Sequence, residues 1–365
     1  MPLDSMIIIL LAFFTAFIIT YFAIPSIIKV ANVKHLFDEP GARKSHNSRV
    51  PTLGGIAIFA GLIFSFTFWS AEFHFQYIRY ILSSIIVLFF VGIKDDLFPL
   101  SSGKKLLGQI LSAVIIVYFA DMRIVNMYGI LGLTSIPYWA SLILSIFTII
   151  VITNAYNLID GIDGLAAGIG IIASLVFGVF FFFIEGYFVF SILAFTLTGS
   201  LLAFLKFNFQ PAKIFMGDTG SLIIGLILSV LAINFIKNGN QVIPYFGSLK
   251  AAPVLSICIL IIPLFDTLRV FFIRMLKRQS PFSPDKKHIH HILIQIGLSH
   301  RYASITLYAA NIFFIVLAFF LRDMEITAFL FVMLISALML SQLPFIRKNY
   351  IKYKRVKALH NKDLV

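Results

Sequence analysis

Five polar stretches set between long apolar runs hold most of the residues in this 365-residue sequence that could do chemistry. The first to consider runs from Gly92 through Asp95-Asp96 to Lys104-Lys105. Adjacent carboxylates repel, and one is pushed toward protonation unless a cation sits beside them. A divalent metal, alone or carried on a phosphate, would supply that cation. Two lysines a short loop away can hold phosphate oxygens as point charges. A solvated turn at a membrane boundary is the plainer explanation.

The stretch Thr153-Asn154-Ala155-Tyr156-Asn157 continues to Asp160-Gly161 and Asp163-Gly164. Asn154, Asn157 and Asp160 recur every three residues and share one face if the helix continues. Each Asp-Gly pair permits a sharp turn, because glycine tolerates positive φ. A calcium loop is excluded by the missing acidic pattern and terminal bidentate Glu. Polar groups that deep at a membrane boundary are costly without partners.

A third stretch reads Lys213-Ile214-Phe215-Met216-Gly217-Asp218-Thr219-Gly220-Ser221. Asp218 stands where a helix N-cap is expected, a role worth about 1 kcal/mol. It is equally a hard oxygen ligand for Mg²⁺, with helix amides nearby for phosphate oxygens. A fourth, Asp285-Lys286-Lys287-His288-Ile289-His290-His291, places three histidines in four residues. They could chelate zinc, but the interleaved lysines fit a diphosphate better.

The fifth holds Asp38, Glu39, Arg43, Lys44, His46 and Arg49, then Pro51 and Gly54-Gly55. Its basic residues read as topological anchors or headgroup contacts, and its glycines as a site of close backbone approach. Asp266 and Arg269 are spaced to pair along a helix. The single cysteine, Cys258, lies in an apolar run and excludes an internal disulfide.

These loops need elements to position them, and composition says which. Apolar residues make up 60% of the chain and charged residues 12%, against about 45–50% and about 25% in soluble proteins. That excludes a soluble enzyme, a disordered tail protein and a nucleic-acid-binding module. Eleven apolar segments are predicted, near 6–28, 53–71, 78–93, 106–120, 138–153, 165–184, 187–205, 220–236, 251–272, 302–321 and 326–343. Several are short for a span of about 20 residues. The first has no basic leader region or small-residue cleavage site and is read as a helix, not a cleaved signal.

Eleven spans put 24 of the 29 Lys and Arg on one side of the membrane. By the positive-inside rule that side is cytoplasmic, the N-terminus outside and the C-terminus inside. Ten of the 16 acidic residues and seven of the eight His fall there too. Mixed polar chemistry gathered on one face suits a membrane enzyme with a soluble, charged substrate. The expectation is an all-α polytopic protein of about eleven transmembrane helices. It would form one membrane-embedded domain (core 6–343), followed over 344–365 by a basic tail lying on the anionic inner leaflet.

Together the motifs resemble those of the polyprenyl-phosphate N-acetylhexosamine-1-phosphate transferases. They are Arg43-Lys44-Ser45-His46 with Pro51 and Gly54-Gly55, Asp95-Asp96, the Asn154–Leu165 block, Phe215–Ser221, and His288-Ile289-His290-His291, in the family's order. Five motifs in register cover about residues 38–291. The resemblance implies an eleven-helix fold, a UDP-N-acetylhexosamine donor, undecaprenyl phosphate as acceptor, and dependence on Mg²⁺, with Mn²⁺ as substitute. The isoleucine within the histidine motif and the eleventh helix point to the GlcNAc-1-phosphate branch. The muramyl-pentapeptide transferases of peptidoglycan synthesis are the alternative.

On that resemblance Asp218 and Asn157 would hold the metal. Lys104, Lys105, His288, His290 and His291 would neutralise the diphosphate. Asp95 or Asp96 would orient or deprotonate the lipid phosphate, and Lys44, Asn154, Asp160, Asp163 and Phe215 would contact the nucleotide. The expected location is the bacterial cytoplasmic membrane, with a homodimer allowed. A secondary transporter would instead carry its ionisable residues near the midplane, where Asp266 is the one candidate.

Overall fold

A computed structural model describes residues 3–36, 50–71, 73, 77–239, 241–243, 247–248, 250–278 and 288–362; for 242, 243, 247, 248 and 351–362 it gives the backbone alone. The protein is a mostly helical, multi-pass membrane protein. In chain order the helices are α1 (Leu3–Lys34), α2 (Gly54–Ser70), α3 (Ile78–Leu97), α4 (Ser102–Val114), α5 (Tyr138–Ile159), α6 (Leu165–Phe183) and α7 (Phe188–Asn208). They continue with α8 (Gly217–Lys237), α9 (Ala252–Ile259), α10 (Ile261–Leu276), α11 (Ile289–Gln295), α12 (His300–Leu321) and α13 (Ile326–Lys362). A π-helical turn over Ile115–Phe119 extends α4.

Each of the eleven predicted apolar segments falls on a helix or a broken helix. Among the described residues, eight helices are long and apolar enough to cross a membrane, or nine if α9 and α10 form one broken span. Helix α2 has only 17 residues, and α3 carries Arg79 at its start and Lys94, Asp95 and Asp96 at its end. The chain is not wholly α-helical. β1 (Asn126–Ile130) pairs antiparallel with β2 (Leu133–Ser135), and β3 (Val242–Ile243) with β4 (Gly247–Ser248). Both strand pairs sit in connections between helices, where polar backbone cannot be satisfied by a helix and pairs between strands instead.

Helix α8 is the axis. Every residue from Thr219 to Ile236 is buried, as a helix apolar around its whole circumference must be. It packs against α2, α3, α5, α6 and α9. Outer helices α1, α12 and α13 expose Phe14, Phe22, Phe320 and Leu343, a surface suited to lipid.

The 83° bend between α9 and α10 has a local cause. Pro263 cannot donate the amide that would continue the helix onto Ile259. The freed Ile259 carbonyl accepts instead from Asn311 Nδ2 of α12 at 3.2 Å. The bend leads into Asp266 and Arg269, both buried on α10.

Candidate active site

The end of α3 and the start of α8 meet at Asp96. Its Oδ1 accepts the Asp218 amide at 2.7 Å, and its Oδ2 accepts the Thr219 amide at 3.0 Å and the Thr219 hydroxyl at 2.6 Å. First-turn amides have no partner within their own helix, so Asp96 caps α8 from a neighbouring helix and sits at the positive end of its dipole. Asp218, expected as the cap, instead lies inside the first turn with its carboxylate released to other partners. Gly217 takes φ +72° here, and a Cβ on it would stand 2.6 Å from Asp96 Oδ2. The approach of α2 and α3 is equally tight. A Cβ at Gly55 would strike the Gly220 backbone, and one at Gly92 the Thr219 backbone.

Asp218 and Asp95 converge on one cation. Lys105 Nζ pairs with Asp218 Oδ2 and lies 2.6 Å from Asp95 Oδ2. Asp95 Oδ1 accepts the Leu100 amide at 2.6 Å. Asn157 Nδ2 donates to Asp218 Oδ1 at 3.0 Å and to Ser221 Oγ at 2.8 Å. One turn deeper, the amides of Gln109 on α4 and Asn154 on α5 exchange hydrogen bonds of 2.6 and 3.2 Å. Asn154 is thus turned toward α4. Lys104 is exposed, and among the described residues no ion pair joins it to this cluster.

The donor set suits a hard divalent cation. Two carboxylates already share one ammonium, and Mg²⁺ uses one or two carboxylates with water and substrate phosphates. Among the described residues no group of three His, Cys, Asp or Glu side chains is arranged around a metal position.

The loop between α5 and α6 separates its two aspartates. Asp163 is locked: Oδ1 pairs with His300 Nδ1 at 3.1 Å, and Oδ2 accepts the Ala212 amide at 3.2 Å. Ser304 Oγ donates to the Asp163 carbonyl at 2.9 Å, and Tyr308 donates to the Gly164 carbonyl. The Asp160 amide donates to the Asn157 carbonyl at 3.3 Å, but among the described residues no hydrogen bond or ion pair engages its carboxyl. Burial, and next the charges of Asp218, Asp96 and Asp163, push its carboxyl up to about 7.

His288, His290 and His291 sit at the start of α11 beside Asp266. Asp266 Oδ2 is 3.0 Å from His288 Nδ1 and 4.0 Å from His290 Nδ1; Oδ1 is 3.0 Å from Arg269 Nη2 and from the Ile289 amide. The Asp266–Arg269 pair expected from the spacing is present and buried. Burial, and next the neighbouring His291, hold His290 down to about 3. That direction favours the neutral ring of His290 near pH 7. A Cβ at Gly161 would stand 2.5 Å from His290 Nε2, so this cluster rests on the Asp160 loop. Phe215 is half-buried, and its backbone is clamped by Pro51 O to its amide at 2.7 Å and by the Gly54 amide to its carbonyl at 2.9 Å. Lys44, with Arg43–Arg49, and Asp285–Lys287 lie outside the described residues.

Sequence reasoning missed His300 and Gln109. Gln109 lies four residues after Lys105 in an apolar helix, a spacing that puts both on one face.

The glycosyl transferase family 4 model matches residues 78–236. The chain is 33% identical over 343 residues to the probable undecaprenyl-phosphate N-acetylglucosaminyl 1-phosphate transferase of Bacillus subtilis, covering 91% of this chain and 90% of that protein. It is 32% identical over 298 residues to the undecaprenyl-phosphate alpha-N-acetylglucosaminyl 1-phosphate transferase of Escherichia coli, covering 77% and 76%. To the decaprenyl-phosphate N-acetylglucosaminephosphotransferase of Mycobacterium tuberculosis it is 32% identical over 315 residues, covering 80% and 78%.

Proposed function

The chain belongs to glycosyl transferase family 4, and from that premise we propose that it moves GlcNAc-1-phosphate from UDP-GlcNAc to undecaprenyl phosphate. An oxygen of the lipid phosphate bonds to the sugar-linked phosphorus, the bond from that phosphorus to the bridging oxygen breaks, and UMP leaves. The product is the first lipid-linked intermediate of a cell-surface polysaccharide. One observation carries this reading furthest: Asp218, at the start of a helix buried from Thr219 to Ile236, shares the Lys105 ammonium with Asp95. Such a site can gather phosphates from a soluble and a lipid substrate at one helix end.

Asp218 and Asp95, with the Asn157 amide oxygen, would hold Mg²⁺, or Mn²⁺ in its place, which when bound supplies positive charge to the diphosphate. Lys105, which pairs with both carboxylates here, is the cation that would meet a phosphate oxygen. Asp95 orients the acceptor phosphate, which is already largely dianionic near pH 7 and needs little base help. Asp96 and Asp163 hold the frame, whereas Asp160 is the loop carboxylate left for the donor. Such chemistry is chiefly positioning and charge neutralisation. Lys104, His288, His291, Lys44 and Phe215 complete the substrate contacts.

If all eleven apolar segments span, 24 of the 29 Lys and Arg gather on one side, which supports an outside N-terminus and a cytoplasmic active face. The membrane is then the bacterial cytoplasmic membrane, residues 6–343 the catalytic unit and the tail a basic helix at the inner leaflet.

The test uses detergent-solubilised protein, undecaprenyl phosphate, Mg²⁺ and a panel of UDP-sugars. UMP release with UDP-GlcNAc, lost on adding EDTA, is the expected result. Release only with UDP-MurNAc-pentapeptide would move the chain to the other branch. Nucleotide-sugar flux in proteoliposomes without UMP release would make it a transporter.

A further inference from the structure

Resting on the transferase reading for what the histidines hold, we propose that Asp266 is the positioning residue of the histidine cluster. It fixes the tautomer of His288 and the start of α11 as one unit.

All the parts are buried: Asp266 is 2% exposed, His288 4%, His290 2% and Arg269 8%. Both Asp266 oxygens are engaged, Oδ1 by Arg269 Nη2 and the Ile289 amide, Oδ2 by His288 Nδ1, each at 3.0 Å. A carboxylate paired with a guanidinium is an acceptor only, so His288 Nδ1 must carry the proton that it donates. Nε2 is then the nitrogen left for the substrate, an acceptor in the neutral ring. The Ile289 amide is an otherwise partnerless donor of the first turn of α11, and Asp266 caps it from α10 as Asp96 caps α8 from α3. Behind Asp266, the Arg269 guanidinium lies 4.9 Å over the Phe345 ring of α13. In front, His288 stacks on His290 with centroids 5.6 Å apart and planes 13° apart. His290 rests on Gly161, next to Asp160. The Pro263 break sets Asp266 at this junction, so the orientation of the cluster is inherited from the bend of the preceding helix.

Carboxylate supports of metal-bound histidines are worth about 10- to 100-fold when removed, and the same scale is expected for this one. Initial rates of UMP release are measured for the full chain, Asp266→Asn, His288→Gln and the double variant, each checked for an unchanged melting profile. The expected result is a kcat loss of about 10- to 100-fold in Asp266→Asn with KM for UDP-GlcNAc within about twofold. The double variant should lose no more than His288→Gln alone, as for two residues acting through one group. Multiplying losses, or an Asp266→Asn variant as active as the parent, would overturn the proposal. ¹⁵N-histidine spectra of the parent in bilayers, with His288→Gln assigning the resonance, keep the question open to test if Asp266→Asn does not fold. A protonated Nδ1 on His288 is expected, and an unprotonated Nδ1 overturns it. A parent that releases no UMP while showing that protonated Nδ1 would refute the transferase reading and leave the Asp266–His288 geometry standing.

Discussion

Asp96 grips Thr219 twice, accepting its amide at 3.0 Å and its hydroxyl at 2.6 Å, and so fastens the end of α3 to the start of α8. Its neighbour Asp95 points instead to Lys105. Two adjacent aspartates therefore have separate duties, and their variants should fail differently. Asp96→Ala leaves the Asp218 and Thr219 amides without their acceptor and lowers stability by about 1–2 kcal/mol. Asp95→Asn melts within a few degrees of the parent but releases UMP at least about 100-fold more slowly. Thermal unfolding and initial rates on the same preparations separate the two.

Lys105 occupies the place between Asp95 and Asp218 that a cation would take. Replacing it by methionine leaves two carboxylates facing each other, which repel until a cation returns. Without UDP-sugar, the melting temperature of the parent should move little with millimolar Mg²⁺. That of Lys105→Met should rise with it, and the variant should lose most of its UMP release. Equal Mg²⁺ responses in the two proteins would contradict the shared-cation geometry.

Asp160 predicts a pH dependence of stability. Its folded value of about 7 exceeds the ordinary 3.8, so ionising it opposes the fold. The penalty is absent below about pH 4, grows as pH climbs toward 7 and is complete above it. Asp160→Asn removes the penalty. Its melting temperature should match the parent's near pH 4 and exceed it at pH 8, while transfer activity falls. Melting curves across that range decide the sign.

Glycines at the α2–α8 contact should be intolerant where others are not. Gly55→Ala drives a methyl into the Gly220 backbone and should cost about 1–3 kcal/mol or more. Gly103→Ala has nothing within 4 Å of the added carbon and should gain about 0.5–1 kcal/mol from helix propensity. The difference in melting temperature between these two variants measures the tightness of that crossing.

Much of this is legible in the amino-acid sequence. Apolar runs marked the helices because a bilayer demands about 20 such residues, and Asp218, Asp95 and Lys105 stood out as polar groups beside them. Their partition was not readable. Asp95 and Asp96 differ by one helical step of about 100°, and only the packing of α3 on α8 decides which one turns inward. The Asn154–Gln109 pair, the His300–Asp163 pair and the Asp266–His288 pair join residues 45, 137 and 22 positions apart, distances over which local spacing carries no signal. The β1–β2 hairpin rests on a short turn at Leu131-Gly132 whose residues resemble ordinary loop.

The central claim is that Asp218 anchors the metal-bound diphosphate. It is tested most directly by the rate of UMP release from UDP-GlcNAc and undecaprenyl phosphate at saturating Mg²⁺, in the parent and in Asp218→Ala of matched melting temperature. The account predicts a loss of at least about 1,000-fold, as for removal of a principal charge-stabilising group. Full activity in Asp218→Ala would contradict it.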